Sequence, residues 1–278
     1  MKVVLFCGGK GMRLRDYSEQ IPKPMICIGY RPVLWHVMKY YAHFGHTDFI
    51  LCLGYKADYI KNYFLNYNEC LSNDFVLRPG GGEQVHLLNR DIDNWTITFI
   101  DTGMETNIGG RLRMVRRYVQ DEPMFLANYS DALTDLDLRL MIRDFQRRPE
   151  SVASFLCVRP CTSFHLVQFD AKSQVTAIRD VHQSDVWING GFFAMRPEIF
   201  DYMNEGEELV AEPFQRLIDE KRLHAFHYER FWQCMDTFKD KQEFEDMYSH
   251  GRAPWELWKN GSGTHTPSEL LNVRSAAE

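Results

Sequence analysis

The run Val3-Val4-Leu5-Phe6-Cys7-Gly8-Gly9-Lys10-Gly11-Met12-Arg13-Leu14 decides how the rest of the chain is read. Its five leading residues are continuously apolar, as a parallel strand buried on both faces requires. Glycines follow at once. Without a Cβ they let the backbone come close to a ligand, with N–H groups facing an anion. Arg13 adds a planar donor fork suited to phosphate oxygens. Two common phosphate-binding patterns fail here. There is no GxxxxGK[ST], and Leu14 stands where GxGxxG counted from Gly9 needs glycine. A glycine cluster alone is equally a tight turn between strand and helix.

Outward from this run, strand and helix patterns alternate. Pro32 opens a helix with apolar positions Val33, Leu34, Val37, Met38, Tyr41 and Phe44. Residues 48–53 read as a buried strand, 57–64 as a helix, 95–100 as a strand, 110–118 as a basic helix and 124–128 as a strand. Such alternation predicts βαβ units, hence an α/β fold with a mainly parallel sheet. After residue 150 strand-like runs follow closely, at 151–158, 166–169, 175–180 and 190–195, with helical patterns at 212–220 and 239–248. Residues 260–278 are rich in Gly, Ser and Thr and read as a flexible tail.

Composition narrows the function classes. The 278 residues suit one large domain or two small ones. Apolar residues are 45% and charged residues 25%, an ordinary globular mix. No apolar run approaches the ~20 residues of a membrane helix. The opening MKVVLFCGGKGMRLR does not read as a signal peptide, because its apolar run ends at Cys7. A net charge of −6 argues against a nucleic-acid surface, though not against a small basic pocket. Seven cysteines without a CxxC pair read as free thiols in a reducing compartment, the cytoplasm, and not as disulfides or a zinc site.

Three further residues carry charge at chosen places. Lys23 lies between Pro22 and Pro24, whose backbone restrictions fix where one cation sits; alone it is equally a loop lysine. Asp131 follows the apolar run Phe125-Leu126-Ala127-Asn128, at the end of a strand where open α/β sheets bind ligands. Its plain alternative is a turn or cap aspartate. Asp236, in Phe231-Trp232-Gln233-Cys234-Met235-Asp236-Thr237, reads alone as a helix N-cap. Brought beside Asp131 it would make a hard-oxygen site for Mg²⁺. Asp135 and Asp137 read as turn and cap residues. His36, His43 and His46 read as helix-surface polarity and not as a metal site.

Together GGKGMRL, PKPM, the strand-end Asp131 and MDT resemble the sugar-1-phosphate nucleotidyltransferases, or NDP-sugar pyrophosphorylases. The nearest resemblance is to the branch that joins CTP to glucose 1-phosphate. Supporting strings are PVLWHVMKYYAHFGHTDFILCLGY, FIDTGMETNIGGRLRMV, INGGFF, FWQCMDT and APWELW, in order up to about residue 259. The resemblance implies a Rossmann-like catalytic sheet flanked by helices, with a smaller β-rich sugar-binding region. It implies one domain over 1–259, its NTP part about 1–135 and its sugar part about 136–259. The implied reaction is in-line attack of a sugar 1-phosphate on the α-phosphorus of an NTP, releasing pyrophosphate. Phe6, Gly8, Gly9, Gly11 and Met12 are the implied nucleotide cradle. Arg13 grips the leaving phosphates, Lys23 neutralises the reacting ones, and Arg111 is expected at the triphosphate. Asp131 and Asp236 are the implied Mg²⁺ ligands. His165, Asn189, Gly190 and Glu212 are the implied sugar contacts. A homo-oligomer is expected, with the aromatic 231–258 segment as a candidate interface; no nucleic-acid or membrane partner is. The stretch 80–83 is a candidate base pocket or a loop.

Three departures from the family pattern cluster near the acceptor side. Ser130-Asp131-Ala132 replaces Gly-Asp-Gly. The Glu-Lys-Pro lysine is missing from the stretch Arg179-Asp180-Val181-His182-Gln183-Ser184, and His165 replaces a small glycine. They leave open another NTP (dTTP or UTP), another sugar phosphate, or a non-catalytic nucleotide-sugar-binding role.

Overall fold

In the computed structural model, described for residues 1–9, 21–78, 84–161, 164–181 and 184–259, the opening apolar run is the middle of the sheet. β1 (Lys2–Phe6) lies between β2 (Asp48–Leu53) and β4 (Phe125–Tyr129), and β3 (Thr96–Asp101) flanks β2. All three of these pairings are parallel. The sheet continues through β5 (Ala153–Val158), β6 (Ile188–Asn189), β7 (Phe193–Met195) and β8 (Leu223–Tyr228). β7 joins β4 to β5 by antiparallel pairs, β6 pairs the far end of β5, and β8 runs parallel to β5. The expected mainly parallel α/β sheet is therefore present, with an antiparallel strand at the join of its two halves.

The continuous apolar run has a direct cause. Val3, Leu5 and Cys7 face one buried cluster, while Val4 and Phe6 face another, so both faces of β1 are covered. The first face packs α1 (Val33–His43), and the second packs α3 (Ile108–Met114). The remaining helices are α2 (Ala57–Leu65), α4 (Arg116–Val119), α5 (Leu138–Gln146), α6 (Glu212–Asp219) and α7 (Phe238–Ser249).

Several expectations are corrected. The basic helix 110–118 is two helices, α3 and α4, because Val115 leaves helical geometry at φ −97, ψ 4. The strand over 190–195 is interrupted. Gly191 and Phe192 have φ of +76 and +51, held by N–H bonds to Asn189 Oδ1 and Asn128 Oδ1 at 2.9 and 2.8 Å. His36 is not surface polarity but is fully buried. Trp255 Nε1 is a donor only and lies 3.2 Å from Nδ1, so Nε2 carries the hydrogen and donates to Ile28 O at 3.1 Å. The aromatic 231–258 segment accordingly supplies core. Trp255 and Phe244 are both buried, and Trp255 stacks on Phe231.

One small ribbon matters most. Ala132–Thr134 pairs antiparallel with Trp232–Cys234, and Met235 N donates to Asp131 O at 2.9 Å. Two segments a hundred residues apart are thus laid side by side at the carboxyl end of β4.

Candidate active site

The ribbon sets Asp131 and Asp236 on adjacent strands, and Lys23 enters from a third segment. Pro22 and Pro24 confine a single turn of 3₁₀ helix over Lys23–Met25. From it Lys23 Nζ reaches Asp131 Oδ2 and Asp236 Oδ1, each at 2.5 Å. Burial opposes the ammonium charge, but the two carboxylates outweigh it, and the Lys23 pKa is raised above its ordinary value. The helix-cap alternative for Asp236 is settled by its neighbour. Thr237 is the N-cap of α7, in a reciprocal capping box with Asp240. Asp240 also accepts from Asp236 N at 3.0 Å, which leaves the Asp236 carboxylate for the cluster.

The glycine loop follows β1 on the same rim. A Cβ on Gly9 would meet no atom of the described residues within 4 Å, which leaves room there for a ligand. Gly8 is glycine for another reason. A Cβ there would fall 1.9 Å from Nη1 of Arg111, whose guanidinium lies under the loop. Arg111 is buried and donates to Leu53 O at 3.0 Å, Thr102 Oγ1 at 2.6 Å and Gly8 O at 3.2 Å. It therefore ties together the carboxyl ends of β1, β2 and β3, and stands beneath the rim and not on it. Phe6 packs into the sheet beside Tyr129, with ring centroids 6.4 Å apart. Gly11, Met12 and Arg13 lie outside the described residues, as do His182 and residues 80–83.

The expected sugar contacts divide. Asn189 Nδ2 lies 3.5 Å from the Tyr129 hydroxyl, two residues before Asp131, and Gly190 O accepts from Trp232 Nε1 at 2.8 Å. Both belong to the rim that holds the ribbon. Glu212 is exposed at the start of α6 and accepts from Glu208 N at 3.2 Å. His165 opens the exposed hairpin His165–Phe169/Val175–Asp180, in register with Asp180. Thr102 and Tyr129 escape a reading of the sequence, because their roles appear only when strand ends from separate segments meet.

Residues 2–248 match the family described as Nucleotidyl transferase. This chain belongs to the nucleotidyl transferase family. Among curated relatives of this nucleotidyltransferase, a glucose-1-phosphate cytidylyltransferase of Salmonella typhi is 37% identical over 261 residues, covering 93% of this chain and 100% of the relative. A probable glucose-1-phosphate cytidylyltransferase of Bacillus subtilis (strain 168) is 35% identical over 260 residues, covering 93% of this chain and 100% of the relative. Among solved structures, HddC from Yersinia pseudotuberculosis superposes with a TM-score of 0.62 at 22% identity, covering 89% of this chain and 99% of that one. That last likeness shows the shared fold.

The departure at Ser130 has a physical account in this nucleotidyltransferase. Ser130 Oγ donates to Phe6 O at 2.9 Å, pinning the end of β4 to the end of β1. Ala132 is buried in the ribbon opposite Cys234. A side-chain bond on one side and a strand pair on the other thus hold the backbone around Asp131.

Proposed function

We propose that this nucleotidyltransferase joins CTP to glucose 1-phosphate, giving CDP-glucose and pyrophosphate. The observation that carries the reading is the end-to-end likeness to glucose-1-phosphate cytidylyltransferases, 37% identical over 93% of the chain. The convergence of Lys23, Asp131 and Asp236 beside the open Gly9 backbone supports the same chemistry.

Asp131 and Asp236 converge on Lys23 as a pair of hard oxygen donors at the carboxyl ends of the strands, and the family generally works with a divalent metal. We assign Mg²⁺, with Asp131 and Asp236 as its protein ligands. The donor set fits: both are hard carboxylates, already converging on one cationic atom. Among the described residues no group of three or more His, Cys, Asp or Glu side chains forms a fuller cage. Mg²⁺ is typically held by one or two carboxylates plus substrate phosphates, so the pair suffices. When bound, the ion would neutralise phosphate charge and polarise the reacting phosphoryl group.

The chain's own residues then have distinct tasks. Lys23 holds positive charge at the reacting phosphates, at a place the flanking prolines fix in advance. Gly8 and Gly9 present backbone to the phosphates, and Arg13 grips the leaving pair. Arg111 keeps the three strand ends in register beneath them. Asn189 and Gly190 face the sugar, with His165 and Glu212 further out. The sugar phosphate is itself the nucleophile, so no thiol or hydroxyl of the protein enters the chemistry.

Residues 1–259 are proposed as one catalytic unit, because the sheet takes strands from both halves of the chain. The cytoplasm suits its seven free cysteines. Among the described residues no helix is long and apolar enough to cross a membrane. A homo-oligomer is proposed, supported by Val167, Phe169, Val175 and Ile178, which are exposed along the 165–180 hairpin.

Pyrophosphate release with CTP, dTTP and UTP, each against a set of hexose 1-phosphates, tests the substrates. CTP with glucose 1-phosphate should dominate kcat/KM. No turnover with CTP and any sugar phosphate would overturn the nucleotide assignment. Preference for another hexose phosphate would overturn the acceptor.

A further inference from the structure

The turn between β6 and β7 holds a strained backbone directly behind the rim on which the acceptor is read. Gly191 and the non-glycine Phe192 both stand in left-handed backbone, at φ +76 and +51. Glycine enters this region freely, but a phenylalanine there must be held by its surroundings. The ring holds it from one side. Phe192 is buried, edge-on to Tyr40 and stacked on Tyr41, with ring centroids 5.5 and 6.0 Å apart. One buried side chain holds the backbone. Asn128 of β4 is fully enclosed, and its Oδ1 accepts from Phe192 N at 2.8 Å. The Phe192 N–H can only donate, so the amide oxygen is the atom that faces it. A Cβ on Gly191 would fall 2.4 Å from the same oxygen, so the chain passes close over Asn128.

The residues ahead of the turn are fixed through it. Gly190 N donates to Leu156 O at 2.8 Å and Leu156 N donates to Gly191 O at 2.9 Å, which moors the turn to β5. Gly191 N donates to Asn189 Oδ1 at 2.9 Å. That bond occupies the Asn189 oxygen and leaves its Nδ2 donor for the rim, 3.5 Å from the Tyr129 hydroxyl. Neighbours on one strand point to opposite faces. Asn128 therefore grips the turn from the face that packs Phe192, while Tyr129 meets Asn189 from the other.

We propose that Asn128 is a positioning residue for the acceptor half of the site. Through the Phe192 N–H it sets the turn, and through the turn it sets where Asn189 and Gly190 meet the sugar phosphate. It touches no substrate itself. The inference rests on the reading of Asn189 and Gly190 as the acceptor rim. The nucleotide side is held by other bonds. Arg111 ties Leu53 O and Thr102 beneath the glycine loop, and Lys23 stands on its own proline-bounded turn. Loss of the Asn128 bond therefore falls on one substrate and spares the other.

Initial rates of pyrophosphate release test this on the full chain. Glucose 1-phosphate is varied at saturating CTP, and CTP at saturating glucose 1-phosphate. Asn128→Ala removes the oxygen, and Asn128→Val removes it while filling its space. Either should raise the KM for glucose 1-phosphate roughly tenfold, the scale of a small misplacement at the site, and leave the KM for CTP within about twofold. A merely structural asparagine would lower the melting temperature without separating the two constants. In a double-mutant cycle, Asn189→Ala should absorb most of the Asn128→Ala effect, because one acts through the other. Equal changes in both KM values, no change in either, or strict additivity with Asn189→Ala overturns the proposal. So does failure of both Asn128 variants to fold, which would make the residue a part of the fold alone. The wild type separates the two levels of the argument. If it turns over no sugar phosphate, the reading of the reaction fails, and the proposal with it. If it is active and the split is missing, the proposal alone fails.

Discussion

Two clusters of lysine, arginine and aspartate lie in this molecule, and they are built on opposite plans. At the strand ends one lysine sits between two carboxylates, Asp131 and Asp236. Behind α1, one carboxylate, Asp91, faces two cations. Arg31 is 3.5 Å away and Lys39 3.3 Å. Asp91 also accepts from Tyr67 at 3.2 Å, Ser72 at 2.5 Å and Asn73 at 2.9 Å. Arg31 spends its remaining donors on Ser72, Tyr63 and Asn68 O. The second cluster is walled in by its own hydrogen bonds and fastens Asn68, Ser72 and Asp91 to α1 and to Arg31 just ahead of it. The first gathers its charges at the carboxyl ends of the strands. A charged cluster enclosed by its own bonds holds structure, and one set at the mouth of an α/β sheet is placed to meet a ligand.

The largest effect should come from breaking the cluster at the strand ends. Asp131→Asn should cut kcat by roughly 10²–10³, the scale of losing one preorganised electrostatic group. Its melting temperature should hold, since Asp236 still pairs Lys23. Pyrophosphate release and a thermal melt decide it. Asp91→Ala should do the reverse. Removing one partner of a buried pair costs about 3–5 kcal/mol, seen as a lower denaturant midpoint, with kcat changed less than about twofold. Lost kcat at unchanged stability in Asp91→Ala would end the contrast between the two clusters.

A third prediction concerns a buried group on α1 itself. Burial, followed by the charges of Lys259 and Arg31, pushes the His36 pKa down to about 4, against a bond to Ile28 O that raises it. The unfolded chain therefore takes up this proton first. The stability due to neutral His36 is full above pH about 6.5 and lost as pH falls towards 4, on the order of 3 kcal/mol in all. Denaturant midpoints across that window should fall with pH in the wild type and fall less steeply in His36→Gln. Equal slopes would remove His36 from the account. The smallest effect belongs to Ser130→Ala, which loses the bond to Phe6 O and should cost about 1 kcal/mol of stability. An unchanged midpoint would show that the ribbon alone holds Asp131.

Much of the sheet is legible in the residues themselves. The strands at 48–53 and 125–129 are largely apolar and buried, and covered strands read plainly because both faces need the same residue type; 96–101 reads instead from β-branched and aromatic residues on a partly exposed edge. β8 is not legible in this way. Its sequence Leu223-His224-Ala225-Phe226-His227-Tyr228 mixes polar and apolar positions because it is only partly buried. The buried His36 misleads because its environment comes from Ile28 and Trp255, the latter 219 positions away. Gly8 reads as a cradle for phosphate, and its nearest claim is the Arg111 side chain.

Local pattern is enough to specify the parallel sheet, the glycine turn after its central strand and the residue types needed for phosphate chemistry. Periodicity and composition carry these, and both act over a few neighbouring residues. Folding alone brings Lys23, Asp131 and Asp236 to one point and puts Arg111 beneath the rim. Each is a contact between segments far apart in the chain. Its geometry depends on the register of the Ala132–Thr134/Trp232–Cys234 ribbon and on which strand ends the sheet places together, and neither is written in the spacing of any one segment.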